Sequence, residues 1–131
     1  MTTIDDEVLS TFLSESEDRL MDIESGILAM ENYGEETDPE LIHSIFRDAH
    51  SIKAGANLLG LRNIERLSHG LENVLDRIRG GGLIPDNQVA TLLLEAVDSI
   101  NELFEDVASS DEQDVEDLHG DLCAMAQNWT E

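Results

Sequence analysis

Ile42-His43-Ser44-Ile45-Phe46-Arg47-Asp48-Ala49-His50-Ser51-Ile52-Lys53-Ala54-Gly55-Ala56 places Ile42, Ile45, Phe46, Ala49, Ile52 and Ala56 on one side of a helix. A strand would alternate every second residue, and this stretch does not. Just upstream, Thr37-Asp38-Pro39-Glu40 supplies a start. Thr37 with Glu40 fits a capping box, or Asp38 caps with Pro39 at the first helical position. Gly60 supplies a stop. The spacing therefore predicts a helix over about 38–58 with one apolar stripe to bury, and that stripe needs partner helices.

The flanking sequence provides them. Val8, Phe12, Leu20, Ile23, Ile27 and Met30 recur at helical intervals over about 4–32, ended by Tyr33-Gly34. Ile64, Leu67, Leu71, Val74, Leu75 and Ile78 mark a helix over about 63–79, broken by Gly80-Gly81-Gly82. Pro85-Asp86 opens a fourth over about 86–108, whose apolar face is Val89, Leu93, Ala96, Val97, Ile100, Leu103, Phe104 and Val107. A fifth is expected over about 111–128, capped by Ser110 with Gln113 and facing inward through Val115, Leu118, Leu122, Met125 and Trp129. Short glycine-containing loops between long helices imply antiparallel neighbours. The expected fold is all-α, an antiparallel up-down bundle with a four-helix core plus a fifth C-terminal helix, forming a single domain over 1–131.

Composition narrows the function. The formal net charge is −23, which argues against nucleic acid or an anionic membrane as partner and favours a monomer. No run of about 18 apolar residues occurs, so no membrane insertion is expected. The acidic start Met1-Thr2-Thr3-Ile4-Asp5-Asp6-Glu7 is unlike a secretory signal, which points to the cytoplasm. Cys123 is the single cysteine, excluding an internal disulfide and a cysteine-based zinc site. Six of seven basic residues (Arg47, Lys53, Arg62, Arg66, Arg77, Arg79) fall between 47 and 79, against four acids there. That window is +2 and the remainder −25. Either an anion or acidic partner is accommodated there, or the hairpin is a salt-bridged surface.

His50 stands about 100° around the helix from Ala49, on a polar stripe with His43, Arg47, Lys53, Ala54 and Asn57. Lys53 at i+3 brings an ammonium beside any group attached to the imidazole, and Ala54 and Gly55 leave the surface open to a large partner. Gly55 within a helix costs up to about 1 kcal/mol relative to alanine and asks for a packing or functional reason. Folding the chain about Gly60-Leu61 sets His50 opposite residue 71, between His69 and Glu72. A carboxylate accepting the Nδ1–H of His50 would leave the lone pair on outward Nε2, the nucleophile for a phosphoryl group.

The segment Ile45 to Ala56, around His50-Ser51-Ile52-Lys53, resembles the phosphorylation motif of histidine phosphotransfer domains. The block His69-Gly70-Leu71-Glu72-Asn73-Val74-Leu75-Asp76 is similar to the matching block on the next helix of that family. The chain looks most like the N-terminal phosphotransfer domain of CheA-type chemotaxis histidine kinases, and is expected to be excised from a longer kinase chain. The resemblance implies His50 as phosphoryl acceptor, Glu72 as its orienting group, Lys53 as stabiliser of phosphoryl charge and His69 as a supporting member. It implies two partners, a kinase ATP-binding domain and a receiver domain of CheY or CheB type. No cofactor is expected on this domain, since ATP and magnesium act through those partners. Arg47, Ala54, Gly55 and Asn57 are expected to meet a partner. Ala54 departs from the family, where glycine usually follows the motif lysine.

Other classes fit less well. Glu40-x-x-His43 and Glu116-x-x-His119 give the pair count of a di-iron bundle, but Leu118 and Leu122 take the inward positions beside His119. No metal site is therefore expected. A non-phosphorylated helical interaction module is the other alternative. Ser51 and Ser68 lie near His50 and His69, with no oxyanion site to suggest Ser/His/Asp catalysis.

Overall fold

A computed structural model of the chain describes residues 6–127. Five α-helices form there: α1 (Asp6–Tyr33), α2 (Pro39–Leu59), α3 (Arg62–Arg79), α4 (Asn87–Glu105) and α5 (Glu116–Gln127). Short 3-10 turns at Gly34–Glu36 and Val107–Glu112 sit in two of the connections. Among the described residues no strand occurs, and no helix is long and apolar enough to cross a membrane. Helices α1 to α4 make the up-down core, and α5 packs against α3 and α4.

The sequence stripes become one continuous core. Leu20, Ile23, Ile27 and Met30 of α1 meet Ile45, Ala49, Ile52 and Ala56 of α2, Leu67, Leu71, Val74 and Leu75 of α3, and Leu93, Val97 and Ile100 of α4. Asp38 is the N-cap of α2, its side chain accepting from the Glu40 N–H at 3.0 Å. The Thr37 hydroxyl instead donates back to the Gly34 carbonyl, so the Asp38–Pro39 reading of this start holds. Gly60, at φ +73°, ends α2 in the left-handed region and sends the chain into α3.

Three expectations need correction. Val8 is 52% exposed, because Leu9 beside it takes the place against the core and Val8 points away. The fourth helix stops at Glu105, short of 108, and the fifth starts at Glu116, not 111. Residues 107–112 form a 3-10 turn, and buried Asn63 holds the carbonyl groups of Ser110 within it and of Gln113 just after it. Its side-chain amide donates to the Ser110 carbonyl at 2.8 Å and the Gln113 carbonyl at 2.7 Å. Its backbone N–H donates to the Asp111 carboxylate. The Ser110 hydroxyl donates to the Val107 carbonyl rather than capping a helix, and Asp114 accepts from the Glu116 N–H. Ile4 and Trp129 lie outside the described residues.

Gly70 fixes how closely α5 approaches α3. A Cβ there would stand 2.8 Å from Leu122 Cδ1 and 2.9 Å from its Cβ, whereas one at Gly120 meets nothing within 4 Å. Both are helical positions where alanine is the better helix former by about 1 kcal/mol. Urea unfolding should therefore find Gly120→Ala stabilised by about 0.5–1 kcal/mol and Gly70→Ala destabilised by about 1–3 kcal/mol through overpacking. Equal effects would contradict the flush contact.

Candidate functional site

Helices α2 and α3 pack side by side, and the seam between them carries a connected polar cluster. Glu72 projects from α3 with only 9% of its side chain exposed. His50 Nδ1 lies 2.6 Å from its Oε2, and Lys53 Nζ lies 2.7 Å from its Oε1. Both oxygens of one nearly buried carboxylate thus meet partners a turn apart on α2. Burial pushes the Glu72 carboxyl up, but Lys53 and His50 outweigh it and hold it below its ordinary value. Glu72 is therefore ionised near neutral pH and can only accept. His50 Nδ1 must then carry the proton, which leaves the lone pair of the neutral ring on Nε2.

The ring itself is accessible, with 56% of the His50 side chain exposed. The Phe46 ring lies alongside it, centroids 6.5 Å apart and planes 18° from parallel. The Arg79 guanidinium sits 3.9 Å from the Phe46 centroid on its way to Asp76, at 2.6 Å, and His43 Nδ1, at 3.1 Å. Phe46 and Arg79 were not among the candidates read from sequence. The i−4 spacing of Phe46 from His50 was the available signal. For Arg79 the signal was the fold-back about Gly60-Leu61, which sets it opposite residue 42, next to His43.

The remaining candidates fall into place individually. Arg47 and Ala54 are exposed on α2. Asn57, also exposed, donates its side-chain amide to Glu65 across the seam at 2.9 Å. Gly55 has a packing reason: a Cβ there would stand 2.6 Å from a Phe12 ring carbon, so glycine lets α1 lie on α2. His69 is exposed one turn before Glu72. It lines a shallow hollow with Arg62, Glu65, Arg66 and His119, and no hydrogen bond joins it to His50. Neither Glu-x-x-His pair projects into the bundle. The Glu116 carboxylate takes both Arg66 amino groups, at 2.9 and 3.0 Å, and His43 takes Arg79. Burial, with Arg66 close by, holds the His119 imidazole below its usual value.

The family profile described as "Hpt domain" matches residues 7–106, which includes the whole seam. This chain belongs to the Hpt domain family. Curated relatives include the chemotaxis protein CheA of Rhizobium meliloti, 36% identical over 74% of this chain, and that of Salmonella typhimurium, 35% identical over 79%. Those proteins are far longer, and this Hpt domain spans only 12% and 15% of them. The solution structure of the histidine phosphotransfer domain of CheA superposes with a TM-score of 0.82 at 25% identity, covering 98% of each chain. The phosphorylated P1 domain of CheA3 from R. sphaeroides, solved in complex with CheY6, shares the fold at a TM-score of 0.81 and 21% identity, covering 96% of this chain.

The depressed Glu72 carboxyl has a consequence for stability. Its contribution is fully present above the ordinary value of 4.5 and is lost as pH falls through the lower value of the folded state. Denaturant titrations should find Glu72→Gln less stable than wild type at pH 7 by about 1 kcal/mol or more. The gap should narrow by pH 3.5. A gap that widens on acidification would contradict the ion pair.

Proposed function

We propose that His50 accepts a phosphoryl group from a kinase ATP-binding domain and passes it to an aspartate of a response-regulator receiver domain. The setting is a CheA-type chemotaxis relay in the cytoplasm. One observation carries this reading: an exposed imidazole whose Nδ1 is bonded to an ionised, nearly buried carboxylate that also holds a lysine. Membership of the Hpt family supports it.

The chemistry follows from that arrangement. Neutral His50 attacks the γ-phosphorus of ATP through Nε2. The P–N bond forms as the bond to the bridging oxygen breaks, and ADP leaves with that electron pair. The ring gains positive charge as Nε2 gives up its pair, and Glu72 on Nδ1 stabilises it. Lys53, at i+3, supplies a cation on the same turn for the phosphoryl oxygens. In the onward step a receiver aspartate oxygen attacks phosphorus, the P–N bond breaks, and its pair returns to Nε2. The Nδ1 proton stays throughout, so the domain is regenerated unchanged. ATP and magnesium belong to the partner domains in this scheme. Such transfer needs positioning and electrostatics more than catalytic groups on the carrier. His69 borders the site one turn before Glu72 and takes a supporting place, while Arg47, Ala54 and Asn57 make its exposed rim.

Incubation with a CheA-type kinase core and labelled ATP tests the reading. Wild type should take up label that survives alkali and is lost in acid, and His50→Gln should take up none; equal labelling of the two would refute the site. Glu72→Gln should slow uptake by about 10- to 100-fold, the scale for losing a group that orients a reactive imidazole. Lys53→Gln should also slow it, with unchanged far-ultraviolet circular dichroism in both variants.

A further inference from the structure

Leu58 is 85% exposed, more than any other large apolar side chain among the described residues. Its neighbours explain why it stands out. Leu59 and Leu61 pack against the core on either side of the Gly60 turn, so the turn is already closed without Leu58. Nine residues beyond Ala49, Leu58 points about 180° away from the buried stripe. Ala54, also exposed, lies one turn before it and one turn after His50. The flanking helices leave this ridge open. Helix α1 reaches α2 on the side of Gly55, through Phe12, and α3 reaches it on the side of His50, Lys53 and Asn57.

Distance decides whether Leu58 can matter to transfer. Eight residues of helix separate it from His50 by about 12 Å along the axis. A stable contact between two domains covers about 800 Å² on each, a disc of roughly 16 Å radius. In-line transfer requires the acceptor oxygen to reach phosphorus on Nε2, so the acceptor domain has to settle over His50. A footprint of that size takes in Ala54 and Leu58 as well.

We infer that Leu58, with Ala54 beside it, is an apolar anchor that sets the affinity of this domain for its response-regulator receiver. The inference rests on the relay reading above and names the surface that reading leaves open. The receiver is the occupant because it arrives by diffusion and has to gain its affinity from the surface it lands on. A kinase domain tethered in the same assembly meets His50 at high effective concentration and needs little docking energy. An apolar anchor also suits a chain of net charge −23, whose broad field does not favour an acidic acceptor pocket.

The test uses wild type, Leu58→Ser, Leu58→Met and, as an exposed apolar control, Ile84→Ser, which is 52% exposed and follows the far end of α3. Each is phosphorylated by the kinase core. Transfer is then timed to the receiver that takes the group fastest from wild type among those encoded in the same genome. Leu58→Ser should label at the wild-type rate and melt at the wild-type temperature. Its transfer rate at low receiver concentration should fall about tenfold, with the saturating rate unchanged. Leu58→Met and Ile84→Ser should transfer like wild type. Normal transfer by Leu58→Ser would overturn the inference and leave the relay intact. Slow labelling with normal transfer would assign Leu58 to the kinase and likewise overturn it. Wild type that neither labels nor finds an acceptor would instead sink the relay reading.

Discussion

A nearly buried carboxylate cannot stay charged without partners, and Glu72 has two. Lys53 neutralises one oxygen, and the Nδ1–H of His50 satisfies the other. Three properties of the site follow from that single constraint. The tautomer of His50 is fixed, its ring is held at the surface of the seam, and the only lysine in the chain is kept within one turn of it. The ring is fixed on the side of Nδ1 and free on the side of Nε2, which is the combination a group carrier needs.

The rest of the bundle serves to hold α2 and α3 in register. Buried leucine, isoleucine and alanine faces lock the pair against α1 and α4. Helix α5 braces α3 two residues before Glu72, through the flush contact of Leu122 on Gly70. Asn63 ties the start of α3 to the connection that follows α4. On the α2 side, Gly55 lets Phe12 of α1 lie directly on the helix one turn past His50. The acidic remainder of the chain does not prevent a second anion from forming at His50. Its charges are spread over an exposed surface, and salt screens them beyond about 8–10 Å, whereas Lys53 is in direct contact with the site.

Much of this was legible in the sequence because it depends on helical periodicity. The stripes through Ala49, Leu71 and Val97 identified the buried faces, and folding the chain about Gly60-Leu61 set His50 opposite residue 71, between His69 and Glu72, of which the structure joins Glu72 to it. What escaped was tertiary. Ser110 and Gln113 have the local look of a helix start, but a 3-10 turn runs through Ser110, and Asn63, some fifty residues earlier, holds both carbonyl groups. Gly55 looked like an opening for a partner, and Phe12 fills the space against it. Val8 fits the α1 spacing, but Leu9 beside it is the residue that meets the core. Periodicity reports which side of a helix is apolar; what lies opposite is set by other parts of the chain.

The protonation of His50 is the most direct test of this account. Nitrogen-15 NMR of the neutral domain, with histidine labelled at both ring nitrogens, distinguishes a protonated from a bare nitrogen at each position. The account requires His50 to carry its proton on Nδ1 with Nε2 bare, and Glu72→Gln to erode that preference. A neutral His50 protonated on Nε2 in wild type would contradict it, because the nitrogen facing solvent would then have no lone pair to give.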